Sequence, residues 1–227
     1  MEKIIILLRC GEAMQRAAFD AAWQYGLGQL AVRAVGLPGL VRHVRHDVVS
    51  EVFRDHMAPG AHGLDAVEEL WFADARARDV VLDAWRASRL DLPGAACALA
   101  ATSWTGFERA PVADPVRRLS MLTRRPDLSR EAFTHYWQTV HAPLAACHRF
   151  VQAYVQNHVA AVLPLTKDGC ELQADGIGDF LIADLDRMQE DYRSEAGIRM
   201  KQDVENFVQS ARTYIVQTQD TMPDPSS

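Results

Sequence analysis

The feature of this sequence that most constrains its fold is a diverged internal repeat. Three segments of the first half recur in the second half, in the same order and at nearly the same spacing. The matching pairs are Ala18–Gln24 with Ala132–Gln138, Val41–Val48 with Gln152–Val159, and Asp65–Phe72 with Asp175–Ile182. One match could arise by chance, but three in the same order indicate that a single unit occurs twice in the chain.

Both halves have the same predicted order of strands and helices. The prediction is based on short apolar runs and on the periodic spacing of apolar residues. The predicted strands are Ile4–Arg9, Leu40–Val49, Val67–Phe72 and Cys97–Thr105, then Arg118–Arg124, Val151–Val159, Gly176–Ile182 and Arg212–Thr218. One helix follows each first strand, and later helices are predicted at Asp74–Ser88 and at Leu185–Val208, the latter broken near Gly197. The order βαββαβ is that of a ferredoxin-like unit.

A ferredoxin-like unit covers only one face of its sheet with helices, so the other face must be buried against a second sheet. The repeat therefore predicts an α+β fold of two tandem ferredoxin-like units, whose antiparallel sheets pack into an intramolecular α/β barrel. The predicted boundaries are a unit over 1–108, a connector over 109–116, a second unit over 117–220 and a disordered tail over 221–227. Both the connector and the tail contain two prolines.

Composition excludes several classes of protein. The formal net charge of −6 argues against a nucleic-acid-binding protein, which needs a basic surface for phosphates. No apolar stretch approaches the roughly 20 residues that cross a bilayer. The apolar run Ile4–Leu8 is too short for a signal peptide, so we expect a cytoplasmic protein. The four scattered cysteines form no Cys-x-x-Cys pair, which predicts free thiols.

The helix that follows the first strand of the second half has the clearest pattern in the chain. Its apolar stripe comprises Phe133, Trp137, Val140 and Leu144. Ser129 precedes the stripe as the predicted N-cap, and Glu131 falls in the first turn, where the helix dipole favours an acidic side chain.

The segment Arg124–Leu144, which reads RRPDLSREAFTHYWQTVHAPL, resembles the signature region of the EthD family, and Tyr154–Val159 follows at the spacing of that family. The resemblance implies the dimeric α/β-barrel architecture. It also implies a pocket for a small organic molecule, since relatives include cofactor-free enzymes that act on aromatic or polyketide-like compounds, and others that bind haem. The first half has Leu27 in place of His141 and Ala22 in place of Tyr136. We therefore expect one functional pocket per chain, in or beside the second unit, with a degenerate first unit as its partner.

His141 is the leading catalytic candidate. It lies one turn after Trp137 and just before Pro143, where a helix ends or kinks. An imidazole there can act as a general acid or base near neutral pH. The alternative is a structural histidine that caps carbonyl groups at the helix end.

His158 and Tyr136 are the other catalytic candidates, and the sequence leaves both open. His158 and Tyr154 share one face of a strand and Asn157 lies on the other, so either face could line a pocket. Tyr136 is five residues before His141 and does not share one face of an α-helix squarely with it, so it is either a phenol donor that still reaches a ligand or an aromatic ring packed at the helix edge. Substrate-binding candidates are Trp137, Tyr154, Asn157 and Phe133, of which Trp137 and Phe133 also suit a core position.

Metal and nucleotide sites are not predicted. His43 and His46 are three residues apart on a strand and point to opposite faces, so they cannot bind one ion together. His56 and His62 have no partner at a diagnostic spacing, and no glycine-rich nucleotide motif is present.

Together the residues and the resemblance predict a cofactor-independent acid–base enzyme with a small aromatic, phenolic or polyketide-like substrate. A lyase that expels a small fragment is expected first, and an isomerase or cyclase second. The alternatives are a non-catalytic protein that binds a small hydrophobic molecule, and a haem-binding protein or oxygenase. A homodimer of fused chains is a further expectation.

Overall fold

The computed structural model describes residues 1–12, 14–33, 36–52, 58–59, 63–88, 92 and 94–222. His56, His62 and the last five residues of the predicted tail lie outside this part of the chain. The elements in chain order are β1 (Glu2–Cys10), α1 (Arg16–Arg33), β2 (Leu40–Val52), β3 (Ala58–Pro59), β4 (Ala66–Phe72), α2 (Ala75–Arg86), β5 (Gly94–Glu108), β6 (Val116–Arg124), α3 (Arg130–Tyr136), a π-helical segment (Trp137–His141), α4 (Ala142–Ala146), β7 (Val151–Pro164), a 3₁₀ turn (Asp168–Glu171), β8 (Gly176–Ile182), α5 (Leu185–Asp191), α6 (Glu195–Val204) and β9 (Val208–Met222).

The strands form a closed antiparallel barrel. Their order is β2-β4-β1-β5-β7-β8-β6-β9, and β9 pairs with β2 to close the ring of eight. The short β3 adds a parallel pairing to β9. The N-terminal half (β1 to β5) and the C-terminal half (β6 to β9) meet at two seams, β5–β7 and β2–β9. The α+β fold and the barrel are thus observed.

Alternation along the strands gives the barrel two buried faces. The interior is filled by apolar side chains from both halves, including Ile5, Leu99, Leu119, Val159 and Ile177. The outer faces are covered by helices, with α1 and α2 on the N-terminal half and α3, α4 and α6 on the C-terminal half. A side chain of a strand therefore points either into the barrel or toward a helix, and this choice decides which residues can line a pocket beneath the helices.

Several predicted boundaries differ from the structure. The break in the last helical region lies between α5 and α6, at residues 192–194, and not near Gly197, because Ser194 caps α6 through the Gly197 amide. Gly197 is needed for another reason. A Cβ at this position would overlap the backbone of Asp191 and Tyr192. The final strand β9 begins at Val208 and ends at Met222, two residues into the predicted tail.

Other predictions concern single residues. Ser129 is the N-cap of α3 and accepts a hydrogen bond from the Ala132 amide, as predicted. His43 contacts Glu68 beneath the helices and His46 contacts Thr218 from the opposite face of β2. The four cysteines are free. Among the described helices, none has both the length and the apolar character that a membrane span requires.

Candidate active site

A π-helical segment shapes the site in the C-terminal half. Between α3 and α4 the chain widens into a π-turn over Trp137–His141 before Pro143 opens α4. Residues five apart share a face in a π-helix, and such turns are frequent at functional sites. The turn buries His141 and leaves Val140 exposed, although the α-helical stripe predicted Val140 in the core.

Tyr136 and His141 consequently converge on one carboxylate. The Tyr136 hydroxyl donates to Oδ1 of Asp203 at 2.6 Å, and Nδ1 of His141 lies 2.9 Å from Oδ2 of the same side chain. The prediction that the two residues do not share a face was wrong, because it assumed an uninterrupted α-helix. Asp203, on α6, had not been singled out from the sequence.

The electrostatics of Asp203 fit this arrangement. Burial alone would raise its pKa, but the hydrogen bonds from His141 and Tyr136 outweigh burial and lower the pKa below the usual value. Burial and the neighbouring Asp203 raise the pKa of Tyr136, so that the phenol stays protonated. A carboxylate only accepts hydrogen bonds, so Nδ1 of His141 is assigned as a protonated ring nitrogen.

His141 lines a small cavity between the outer face of the C-terminal sheet and its helices, named here the C-terminal cavity. Arg118, Trp137, Tyr154, Phe180 and Phe207 line it as well. Its volume is about 20 Å³, roughly the space of one water molecule. Ligand sites for small molecules usually measure about 300–1,000 Å³, so a ligand requires a wall of this cavity to move.

Two glycines of β8 make room for the aromatic wall. A Cβ at Gly176 would overlap the Trp137 ring. A Cβ at Gly178, which lines the cavity, would lie 3.3 Å from Phe180 and 3.6 Å from Trp137. The indole of Trp137 donates to the hydroxyl of Tyr154, whose ring stacks on Phe180 at 4.3 Å.

Arg118 is a cavity residue that sequence reasoning missed. It lies on β6 and is only 4% exposed. Its Nη1 donates to the Tyr192 hydroxyl at 2.7 Å, and its guanidinium lies 4.5 Å from the centre of the Phe180 ring. Nε and Nη2 are buried without a hydrogen-bond partner in the described structure. The signal was an arginine in the middle of a strand, on the same helix-facing side as Ser120 and Leu122.

The remaining predicted site residues lie elsewhere. His158 shares the helix-facing side of β7 with Tyr154, yet it packs edge-on against Trp137 and lines an external groove with Gln138, away from the C-terminal cavity. Burial lowers its pKa to about 4. Asn157 points into the barrel, where it bonds Ser103 and the carbonyl of Ile177.

Phe133 lies behind the cavity wall. It packs against Trp137 and Phe207 with ring centres 5.4 and 5.6 Å apart. It therefore supports two cavity residues without lining the cavity itself. The structure brings together His141, Tyr136, Trp137 and Tyr154 from the predicted set, and leaves out His158, Asn157 and Phe133.

The matching region of the N-terminal half is filled by charged side chains. Trp23, which aligns with Trp137, donates to Glu68, which aligns with Gly178. Glu68 is fully buried and also contacts His43 and Arg45. A large acidic side chain thus occupies the region that a glycine leaves open in the C-terminal half, and Leu27 stands where His141 would be.

The family comparison agrees with the resemblance noted in the sequence. Residues 125–211, in the C-terminal half of this chain, match the EthD domain. A comparison with curated protein sequences finds no significant match.

Two solved structures are similar over nearly the whole chain, and a third over about half of it. An anthrone oxidase-like protein is 11% identical with a TM-score of 0.57, and the match covers 98% of this chain and 94% of that one. A candidate monooxygenase from Fusobacterium nucleatum subsp. nucleatum is 6% identical with a TM-score of 0.51, covering 97% and 95%. An EthD family protein from Bacillus halodurans is 17% identical with a TM-score of 0.35, covering 48% and 99%. At these identities the similarity shows the fold alone.

Proposed function

Given the match of residues 125–211 to the EthD domain, we propose that this chain is an enzyme that moves a proton on a small aromatic compound in the C-terminal cavity. The observation that carries the proposal is His141 on the wall of an aromatic cavity, with its Nδ1 held 2.9 Å from Oδ2 of Asp203. A carboxylate that fixes one ring nitrogen of a histidine makes the other nitrogen a general base.

The proton step follows from this arrangement. Nε2 of His141 accepts a proton from an acidic C–H or O–H group of the substrate, which becomes an enolate or a phenolate. Asp203 remains ionised, because its pKa is lowered, and stabilises the imidazolium that forms. The imidazolium then returns the proton from Nε2 to another carbon of the substrate, which gives an isomer, or to a hydroxyl group that leaves as water.

The walls of the cavity support the same chemistry. Trp137, Tyr154, Phe180 and Phe207 present aromatic surfaces that suit a planar ring, and the small volume excludes bulk water. Within this reaction class we propose a lyase that expels a small fragment first, and an isomerase or cyclase second. Met200 and Val204 of α6 form the wall opposite the sheet, and their displacement would admit the ring.

The fold suggests why one chain has one site. We propose that the two halves are tandem ferredoxin-like units, an arrangement supported by the identical strand orders β2-β4-β1-β5 and β7-β8-β6-β9. The N-terminal half then supplies the second sheet of the barrel. Its own pocket is closed by Glu68, whose carboxylate lies between Trp23 and Arg45.

Haem, the cofactor of the alternative function, fits this site poorly. A histidine bonded to a carboxylate resembles many metal-binding histidines. However, the cavity of about 20 Å³ is enclosed by four aromatic rings, and a porphyrin would require a much larger displacement of its walls than a single substrate ring. A hemin titration of the purified protein would detect haem binding by a saturable Soret band.

The proposal is tested by hydrogen exchange on a defined compound. Anthrone is the first probe because one structural neighbour is an anthrone oxidase-like protein, and 2-tetralone is the second. Both carry an acidic C–H next to an aromatic ring. Under nitrogen in D₂O, loss of that proton signal in NMR spectra measures proton removal directly.

We expect the wild-type protein to accelerate exchange over buffer, and His141→Gln to lose at least about 100-fold of that acceleration. Circular dichroism confirms that the variant is folded. Full acceleration by folded His141→Gln would overturn the proposal. Saturable binding of the compounds without exchange would identify a non-catalytic binding protein instead.

A further inference from the structure

Arg118 lies in the C-terminal cavity without a counter-ion. It is 4% exposed, and no carboxylate of the described residues lies within ion-pair distance of its guanidinium. Its neighbours are aromatic, since Tyr192 accepts one hydrogen bond and Phe180 lies beneath the guanidinium plane. Burying a cation without a compensating anion is costly, so this arrangement calls for an explanation.

Other buried cations of the described chain are compensated. Lys3, at 1% exposure, pairs with Glu69 at 2.9 Å. Arg45 contacts three carboxylates, and Arg78 contacts two. The fold thus neutralises buried cations where their role is structural, and Arg118 departs from this rule in the cavity that also contains His141.

The two unpartnered nitrogens of Arg118 have a defined geometry. Nε and Nη2 donate in the same direction along one edge of the guanidinium, while Nη1, bonded to Tyr192, lies on the other edge. This edge presents two parallel N–H groups, which match the two oxygens of a carboxylate. The planar fork distinguishes arginine from lysine at such sites.

We infer that Arg118 binds a carboxylate of the substrate, which makes the substrate an aromatic carboxylic acid in its ionised form. This inference rests on the proposed function for the choice of cavity, but not for its test. The carboxylate would pair with the Nε–Nη2 edge, while the ring lies among Tyr154, Phe180 and Trp137 and places an acidic C–H or O–H toward His141. The first strand of the N-terminal half has Ile4 at the matching place, in register with Leu70 as Arg118 is with Phe180.

A carboxylate bound by Arg118 limits the reactions that the site can catalyse. A carboxylate paired with a guanidinium is stabilised in the ground state, so its loss as carbon dioxide would be slowed. Arg118 thus favours a dehydration or an isomerisation in which the carboxylate is retained as an anchor over decarboxylation at that group.

Binding measurements with matched pairs of compounds test the assignment. The probes are 2-hydroxybenzoate and 1-naphthoate, each compared with its neutral amide by isothermal titration calorimetry at fixed ionic strength. We expect the wild-type protein to prefer each acid over its amide. Arg118→Met should weaken binding of the acids about 100-fold and leave the amides nearly unchanged. Arg118→Lys should recover part of the loss, because it keeps the charge without the fork.

The matched control is Arg199→Gln, which removes a positive charge from the exposed surface of α6. It should bind the acids as the wild-type protein does. Three results would each overturn the inference. They are equal binding of acid and amide in both pairs, no binding of either compound, and unchanged binding of the acids by Arg118→Met.

Stability separates this role from a structural one. If Arg118 serves a ligand, Arg118→Met should unfold in urea at the same concentration as the ligand-free wild-type protein or a higher one, because it removes an uncompensated buried charge. A variant that unfolds more easily, or fails to fold, would show a structural role. Because these measurements need no turnover, preference for acids together with failed hydrogen exchange would reject only the proposed function.

Discussion

The Asp203→Asn substitution tests the centre of the candidate site. The Asp203 carboxylate accepts a hydrogen bond from Tyr136 at 2.6 Å and one from His141 at 2.9 Å. An asparagine has nearly the same shape but only one acceptor oxygen, and its amide group donates. In Asp203→Asn, one of these two donors therefore loses its acceptor oxygen, and the remaining bond, like the longer one from Nδ2 of Asn206 at 3.4 Å, loses its charge assistance.

The expected loss of stability follows from these two bonds. A hydrogen bond to a charged group contributes about 1.5–3 kcal/mol, so losing one and weakening the other should lower the free energy of unfolding by about 3 kcal/mol. For a chain of this length that corresponds to a fall in Tm of about 6–12 °C. Urea unfolding at pH 7, followed by circular dichroism, measures the change.

The difference in stability between the wild-type protein and Asp203→Asn should depend on pH. The pKa of Asp203 is lower in the folded protein than its ordinary value of 3.8, so its ionised form adds stability above that value. The added stability is lost as the pH falls through the lowered, folded pKa. The free energy of unfolding of the wild-type protein should therefore exceed that of Asp203→Asn most at neutral pH. The difference should become smaller in acid, below about pH 4.

A double-mutant cycle with Tyr136→Phe completes the test. If both residues act through one carboxylate, their effects on the free energy of unfolding should be coupled by about 1–2 kcal/mol. Additive effects within about 0.5 kcal/mol, together with a gap that does not change with pH, would refute the shared contact.

Three further substitutions probe the surroundings of the site. Gly176→Ala should lower the free energy of unfolding by about 1–3 kcal/mol, because the added methyl group overlaps the Trp137 ring. Gly28→Ala in α1 is the control and should not destabilise the protein, because a methyl group there meets open space; thermal melts compare the two variants. Met200→Ala should lower the free energy of unfolding in urea by about 2–5 kcal/mol. Because it opens the cavity wall, this variant should also bind 1-naphthoate more tightly in calorimetry, and unchanged binding would contradict the role of that wall. Glu68→Ala should cost about 3–5 kcal/mol in urea unfolding and leave hydrogen exchange on anthrone unaltered, and a loss of exchange would place function in the N-terminal half.

The architecture was largely predictable because its signals are periodic and occur twice. The predicted strands correspond to β1, β2, β4, β5 and β6 to β9, and the capping oxygen of Ser129 lies where the sequence placed it. The ends of elements were less predictable. Ser194, and not Gly197, marks the break between α5 and α6, because a side chain that caps the helix outweighs the weak helix propensity of one glycine.

The site was only partly predictable, since its key contact depends on tertiary packing. His141 and Tyr136 were identified by residue type and by the family resemblance, but their meeting at Asp203 requires a π-turn that α-helical spacing does not reveal. The orientation of β7 was open in the sequence, and it decides that Tyr154 lines the cavity while Asn157 does not.

The central claim is that His141, and not His158, moves the proton. The most direct test compares hydrogen exchange on anthrone by His141→Gln and His158→Gln, two identical changes on either side of Trp137. Our account predicts that His141→Gln loses at least about 100-fold of the acceleration, while folded His158→Gln exchanges at nearly the wild-type rate. A full rate in His141→Gln, or a comparable loss in both variants, would contradict it.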